Sequence, residues 1–225
     1  MPTYHVGQAI EHLPVLVKVE SVELEGCLSL PTAARGVVVF AHGSGSSRHG
    51  PRNRYVAEVL NRAGLATLVF DLLTPAEERN RANVFDIELL ARRLVDVTGW
   101  LGGQRDTASL PVGYFGASTG AGAALVAAAD PRVKVAAVVS RGGRPDLAGE
   151  SLTHVVAPTL LIVGGRDTVV LKLNRRAQAA MPRECRLVVV PGATHLFEEP
   201  GSLERVAVLA RDWFTSHLMP LAAHR

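Results

Sequence analysis

Aromatic residues and cysteines are scarce in this sequence of 225 residues. Aromatic side chains make up 5% of it, and its two cysteines are Cys27 and Cys185. Two cysteines cannot build the disulfide framework on which many small secreted proteins depend. No apolar run reaches the roughly 18 residues of a membrane-spanning helix, and Met1–Pro14 lacks the apolar stretch of a signal peptide. These absences predict a soluble, cytoplasmic protein without a membrane partner.

Long runs of one charge are also missing. Lys and Arg number 24 against 21 Asp and Glu, which gives a formal net charge of +3. A nucleic-acid-binding tail would concentrate its positive charge, so no nucleic-acid partner is expected. The sequence has neither an H-E-x-x-H motif nor a cluster of Cys and His, so no metal or organic cofactor is expected. The oligomeric state stays open between a monomer and a homodimer.

What the sequence does contain is an alternation of apolar strands and amphipathic helices. This pattern predicts an α/β fold with about eight mostly parallel strands, an antiparallel start and helices on both faces. No linker or repeat divides the chain, so residues 1–225 are expected to form a single domain. The predicted strands are Val15–Val19, Val22–Leu30, Gly36–Ala41, Ala66–Phe70, Val112–Phe115, Val133–Val139, Thr159–Val163 and Arg186–Val190. The predicted helices are Arg52–Ala63, Val84–Leu101, Gly120–Ala129, Leu171–Ala180 and Leu203–His217.

The sharpest local motif is G-x-S-x-G, spelled by Gly116-Ala117-Ser118-Thr119-Gly120. It lies between a predicted buried strand and a helix of small residues. A serine at such a turn needs small neighbours because the backbone is strained and crowded, and its hydroxyl is exposed at the carboxyl end of the sheet. Ser118 is therefore the candidate nucleophile.

The same segment also fits a different motif, because Gly116, Gly120 and Gly122 have the G-x-x-x-G-x-G spacing of short-chain dehydrogenases. In that family the loop follows the first strand, whereas here it follows the fifth. No tyrosine is followed four residues later by a lysine, so the Tyr-x-x-x-Lys pair is missing. The turn at Gly43-Ser44-Gly45 has Arg48 where a dinucleotide loop has its third glycine. A dehydrogenase is therefore disfavoured.

Two residues later in the chain can activate the serine. A serine hydroxyl needs a general base, and His195 lies in the loop after the last predicted strand. Asp167 lies in the turn Gly164-Gly165-Arg166-Asp167, which follows the strand Thr159–Val163, and is the candidate acid that orients the imidazole. Asp167 could instead only cap the following helix, in which case Asp146 is the alternative acid.

Two backbone N–H groups are the candidate oxyanion hole. One belongs to Thr119, next to the nucleophile, and the other to Ser44, in the glycine-rich loop after Gly36–Ala41. Basic residues are expected at the same end of the sheet, where they could bind a substrate that carries a carboxylate. These candidate substrate-binding residues are Arg48, His49 and Arg141. For Arg141 the alternative is an ion pair with a nearby acid, Asp146 or Glu150.

These motifs resemble the α/β-hydrolase superfamily over nearly the whole chain. The matching residues are His42-Gly43-Ser44-Gly45, Gly116–Gly120, Asp167 and His195. The sequence is most similar to the compact dienelactone-hydrolase-related members, which have no inserted lid and often act as carboxylesterases on small esters. Dienelactone hydrolases proper use a cysteine nucleophile, whereas this sequence has Ser118, which favours a general esterase. The segment between the sixth and seventh strands is too short for a cap domain.

The sequence thus predicts a serine hydrolase, specifically a carboxylesterase that acts on small or short-acyl esters through an acyl-enzyme on Ser118. Its expected partner is a small-molecule ester substrate. Two alternatives stay open: thioesterase or perhydrolase-type acyl transfer on the same triad, and a ligand-binding homologue that has no catalytic activity.

Overall fold

The computed structural model describes residues 9–219, which are organised around an eight-stranded sheet. Six parallel strands form most of this sheet, and an antiparallel pair at the start of the chain extends one side of it. The order across the sheet is β1-β2-β4-β3-β5-β6-β7-β8. The strands are β1 (Ile10–Val19), β2 (Val22–Pro31), β3 (Val37–Ala41), β4 (Ala66–Phe70), β5 (Val112–Ala117), β6 (Val135–Arg141), β7 (Thr159–Gly164) and β8 (Cys185–Val190).

Helices cover both faces of the sheet, which confirms the predicted fold class. On β3, Val37 and Val39 pack into one apolar cluster, whereas Val38 and Phe40 pack into the other. This alternation is the ordinary period of a strand buried on both faces. The helices are α1 (Pro51–Arg62), α2 (Pro75–Glu78), α3 (Arg81–Val84), α4 (Ile87–Gly102), α5 (Thr119–Ala129), α6 (Thr168–Ala180) and α7 (Ser202–Leu218), with a 3-10 helical segment at Pro145–His154.

The two short helices after β4 differ from the sequence prediction, which began a long helix at Val84. Thr74 and Glu77 form a capping box at the start of α2, in which the Thr74 hydroxyl accepts from the Glu77 N–H and the Glu77 carboxylate accepts from the Thr74 N–H. This Thr-x-x-Glu signal is visible in the sequence. The long helix α4 begins later because the carboxylate of Asp86 accepts the N–H of Leu89.

The sheet order sets where a site can form. The chain runs from β3 to β4 on one side and then crosses to β5 on the other side of β3. Loops that leave the carboxyl ends of β3 and β5 therefore diverge and open a crevice, the usual ligand site of an open α/β sheet. Between β6 and β7 the chain inserts only the 3-10 segment Pro145–His154, so the described residues contain no cap domain.

Candidate active site

Ser118 lies at the strained turn between β5 and α5. Its backbone has φ 50° and ψ −121°, a conformation that residues with a side chain rarely adopt. The turn is held by hydrogen bonds from the Ser118 N–H to the Arg141 carbonyl (3.2 Å) and from the Ala121 N–H to the Ser118 carbonyl (3.1 Å). A Cβ atom at Gly116 or Gly120 would overlap neighbouring backbone atoms. The residues on either side of Ser118 are small because the turn leaves no room for larger side chains.

His195 faces this serine from the loop after β8. Its Nε2 atom lies 3.3 Å from the Ser118 Oγ atom, although the two residues are far apart in sequence. The imidazole is partly exposed, with a side-chain accessibility of 39%, so a substrate can reach it. The geometry allows the ring to accept the hydroxyl proton through Nε2.

Asp167 is hydrogen-bonded to the other ring nitrogen of His195. Its Oδ2 atom lies 2.7 Å from the His195 Nδ1 atom, while its Oδ1 atom accepts the N–H of Val170 (3.4 Å) at the start of α6. The same carboxylate therefore caps the helix and orients the imidazole, so the two roles weighed from the sequence coexist. Asp146, the alternative acid, is ion-paired with Arg144.

Backbone contacts fix the turns that carry Asp167 and His195 relative to each other. The Arg166 N–H donates to the Ala193 carbonyl and the Gly165 N–H donates to the Val190 carbonyl, both at 2.9 Å. The Thr194 N–H donates to the Glu199 carboxylate (3.0 and 3.1 Å). Hydrogen bonds from the Thr194 side chain, from the Glu199 backbone and from this N–H, in that order of size, lower the pKa of Glu199. Sequence reasoning missed Glu199, because a loop glutamate carries no signal of its bonding partner.

Of the two candidate oxyanion donors, one is without a partner in the described part of the chain and the other is already hydrogen-bonded. The N–H of Thr119, at the first position of α5, has no hydrogen-bond partner within residues 9–219. The N–H of Ser44 donates to the Thr119 side-chain hydroxyl at 2.9 Å, a contact that the sequence did not predict. His42, buried just before this loop, accepts the Leu72 N–H through Nε2 (3.3 Å) and so ties the ends of β3 and β4 together.

A cavity of about 900 Å³ opens over these residues. Ser118 and His195 line it, as do the β3–α1 loop and the segment after β4. Of the predicted substrate-binding residues, His49 and Arg141 line this cavity and Arg48 does not. Arg48 is instead ion-paired with Asp71 and Glu25. The Asp71 carboxylate, directly after β4, lies beside the loop that carries Arg48 and neutralises its charge. The structure thus leaves Arg48 outside the candidate site.

Within residues 9–219, no group of three or more His, Cys, Asp and Glu residues is arranged to hold a metal ion. No helix in that range is long and apolar enough to cross a membrane. Cys27 and Cys185 are both free thiols, and burial raises the pKa of Cys185 to about 11.

Solved structures with the same fold include one close relative. A dienelactone hydrolase from Anabaena variabilis is 59% identical, with a TM-score of 0.91 over 93% of this chain and 99% of that chain. Est1E from Butyrivibrio proteoclasticus has a TM-score of 0.77 over 91% of this chain and 98% of that chain, at 16% identity. At that identity the likeness is one of fold alone.

Comparisons with protein sequences give the family. A curated Mycobacterium tuberculosis protein, named provisionally as a phosphoribosyl transferase, is 79% identical over 197 residues, which are 88% of this chain. The chain spans 44% of that relative's length. A family model described as an alpha/beta hydrolase domain matches residues 34–207. With a family match over most of its length and a hydrolase structure at 59% identity, this chain belongs to the α/β-hydrolase family.

Proposed function

We propose that this α/β-hydrolase is a serine carboxylesterase that cleaves small or short-acyl esters through an acyl-enzyme on Ser118. The observation that carries the proposal is the continuous contact from the Ser118 hydroxyl to His195 (3.3 Å) and from His195 to Asp167 (2.7 Å). A nucleophile, a base and an orienting acid in this relation form the constellation that recurs in serine hydrolases on unrelated folds. The dienelactone hydrolase relative supports a hydrolytic reaction.

In the first half of the proposed reaction, His195 accepts the Ser118 proton as the serine oxygen attacks the ester carbonyl carbon. The carbonyl oxygen becomes an anion, which the N–H of Thr119, unpartnered within residues 9–219, stabilises, and the N–H of Ser44 adds a second hydrogen bond once it leaves the Thr119 hydroxyl. His195 then donates its proton to the leaving alcohol oxygen, and the carbon–oxygen bond to the alcohol breaks. Asp167 keeps Nδ1 protonated throughout and stabilises the imidazolium.

In the second half, a water molecule takes the place of the alcohol. His195 accepts a proton from this water as its oxygen attacks the acyl carbon, and then returns the proton to the Ser118 oxygen as the acyl bond breaks. The products are a carboxylic acid and the free enzyme. Every step uses residues of this chain and water only.

The proposed substrate size follows from the missing cap. Caps in this superfamily bury long acyl chains under several helices, whereas here only the 3-10 segment Pro145–His154 joins β6 to β7. Each additional methylene contributes about 0.8 kcal/mol only if it is buried. A chain longer than a few carbons would extend into water, so acetate to butyrate esters are the proposed optimum.

Other acyl-transfer reactions use the same groups, so thioester hydrolysis and perhydrolysis stay as alternatives. A homologue that only binds its ligand would have no use for the strained backbone at Ser118 or for the contacts of His195. The relative named as a phosphoribosyl transferase has more than half of its length outside the alignment. Its name therefore gives no reason to propose a phosphoribosyl transferase activity for this chain.

The test combines a covalent probe with a series of esters. Wild-type protein should be labelled by a fluorophosphonate and should hydrolyse 4-nitrophenyl esters, with kcat/KM highest between acetate and butyrate. Ser118→Ala should abolish labelling and lower turnover by a factor on the order of 10⁴, while the circular dichroism spectrum stays the same. Full turnover by Ser118→Ala would falsify the proposal, and preferred hydrolysis of dodecanoate would contradict the substrate size.

A further inference from the structure

Arg141 is a positively charged residue in the wall of the active-site cavity, and its side chain has no partner among residues 9–219. It ends β6 and lines the cavity together with Ser118 and His195. Its guanidinium makes no ion pair or hydrogen bond with any residue between 9 and 219, and its Nε atom is shielded from solvent without an acceptor. The ion pair with Asp146 or Glu150 that the sequence allowed is therefore not formed.

The arginines around Arg141 differ from it in this respect. Arg48 is paired with Asp71 and Glu25, Arg52 with Glu198, and Arg144 with Asp146. An N–H group that is shielded from water without an acceptor, as at the Arg141 Nε atom, destabilises the folded protein. Burial and the nearby charge of Arg52 lower the pKa of Arg141 to about 10, so it is still protonated at neutral pH.

Arg141 is held next to the reacting groups by the backbone. In the β5–β6 ladder it pairs with Ala117, the residue before the nucleophile, and its carbonyl accepts the Ser118 N–H at 3.2 Å. The next residue, Gly142, lies against the His195 loop, since a Cβ atom built there would be 3.5 Å from His195 Cε1. A ligand group at Arg141 would therefore be close to the ester that Ser118 attacks.

The rest of the cavity wall has an apolar part and a part with basic groups. Apolar side chains of the segment after β4 form one part of it, namely Leu72, Leu73, Val84 and Leu90. Arg52 adds a basic group near Arg141, and His49 lines the same cavity. The acid in the described lining is Glu78, an exposed residue of α2. Such a wall suits a small molecule with a short apolar chain and one anionic group.

We propose that Arg141 is the anion subsite of this enzyme and that it binds a carboxylate carried by the ester substrate. This inference rests on the proposed esterase function and names its substrate class: half-esters of dicarboxylic acids and related carboxylate-bearing esters. A planar guanidinium matches a carboxylate with two parallel hydrogen bonds. Binding supplies the acceptors that the free protein lacks, and the apolar wall receives the carbon chain.

The first experiment compares kcat/KM for mono-4-nitrophenyl glutarate with that for 4-nitrophenyl pentanoate, which has an uncharged chain of similar length. A second pair, 3-acetoxybenzoate and 3-methylphenyl acetate, places the carboxylate on the alcohol side. In at least one pair, wild-type protein should prefer the carboxylate at least tenfold, and Arg141→Met should remove that preference. Arg144→Met, which removes an arginine paired outside the cavity, should keep it.

Melting temperatures separate a binding role from a structural one. Arg141→Met should melt at the same or a higher temperature than wild type, because an unpaired charge is lost. A lower melting temperature together with an unchanged substrate preference would show that Arg141 is structural. The anion subsite would be overturned if the wild-type enzyme had a higher kcat/KM for the neutral ester than for the carboxylate-bearing ester in both pairs. That result would leave the proposed esterase function intact.

Direct binding tests the subsite without turnover. In the Ser118→Ala background, monomethyl glutarate should raise the melting temperature, and Arg141→Met should abolish this increase. If monomethyl glutarate stabilises the protein through Arg141 but the wild type shows no esterase activity, the anion subsite is supported and the proposed esterase function is refuted. Greater protection by inorganic phosphate than by monomethyl glutarate at equal concentration would overturn the assignment to a carboxylate.

Discussion

The backbone N–H of Ser44 donates a hydrogen bond to the side-chain hydroxyl of Thr119 at 2.9 Å. This bond joins the loop after β3 to the first residue of α5, and so links the two segments that supply the proposed oxyanion hole. Because the hydroxyl oxygen accepts from Ser44, its proton is free to point elsewhere. The Thr119 side chain thus anchors the Ser44 loop next to the nucleophile, and the Ser44 N–H has to leave this hydroxyl before it can donate to an oxyanion.

From this contact we predict that Thr119→Val lowers kcat/KM of ester hydrolysis about tenfold, mainly through kcat. Valine keeps the shape of threonine but removes the acceptor, so the Ser44 loop loses its anchor. The loss should be smaller than the roughly 10²–10³-fold seen when an oxyanion donor is removed outright. Thr119→Ser retains the hydroxyl and should retain activity. Equal activity in the valine variant and the wild type would contradict this role.

The acid of the triad can be tested by two matched substitutions. Asp167→Asn should lower kcat by roughly 10⁴ because the amide cannot hold His195 in the required tautomer. Its melting temperature should change little, since asparagine also caps helices well and can still accept the Val170 N–H. Asp146→Asn breaks only the ion pair with Arg144 and should leave kcat unchanged. If Asp146→Asn lowered kcat strongly while Asp167→Asn left it unchanged, the acid would be Asp146, which follows the preceding strand.

Two glycines should respond to alanine in opposite directions. At Gly120 a methyl group would overlap the carbonyl oxygens of Ala41 and His42, and backbone atoms cannot yield as a flexible side chain does. Gly120→Ala should therefore destabilise the protein by about 1–3 kcal/mol and displace the oxyanion loop, so that esterase activity falls as well.

Gly99, within α4, is the matched control. A methyl group there meets nothing within 4 Å, so Gly99→Ala should stabilise the helix by about 0.5–1 kcal/mol. Urea denaturation measures both changes. A stabilising or neutral Gly120→Ala would show that the turn between β5 and α5 has more room than the structure indicates.

Local patterns in the sequence were sufficient for the strand positions and the nucleophile motif. All eight predicted strands are present, because buried parallel strands are short, apolar and β-branched wherever they occur. Gly116 and Gly120 frame Ser118 because the tight turn itself demands small residues at those positions. The candidate triad of Ser118, Asp167 and His195 could be proposed from the chain, since each residue lies in the turn or loop after a predicted strand.

The tertiary structure alone decided which charged and polar groups meet. Arg48 and Arg141 are equivalent in sequence terms, as arginines in loops or strand ends near the site. They differ because the sheet order places Asp71 beside Arg48, whereas no carboxylate of the described part of the chain is ion-paired with Arg141. The contacts of Thr119 with Ser44 and of Glu199 with Thr194 are likewise products of loop packing. Hydrogen bonds and ion pairs act over a few ångströms, and only the folded chain brings such groups within that distance.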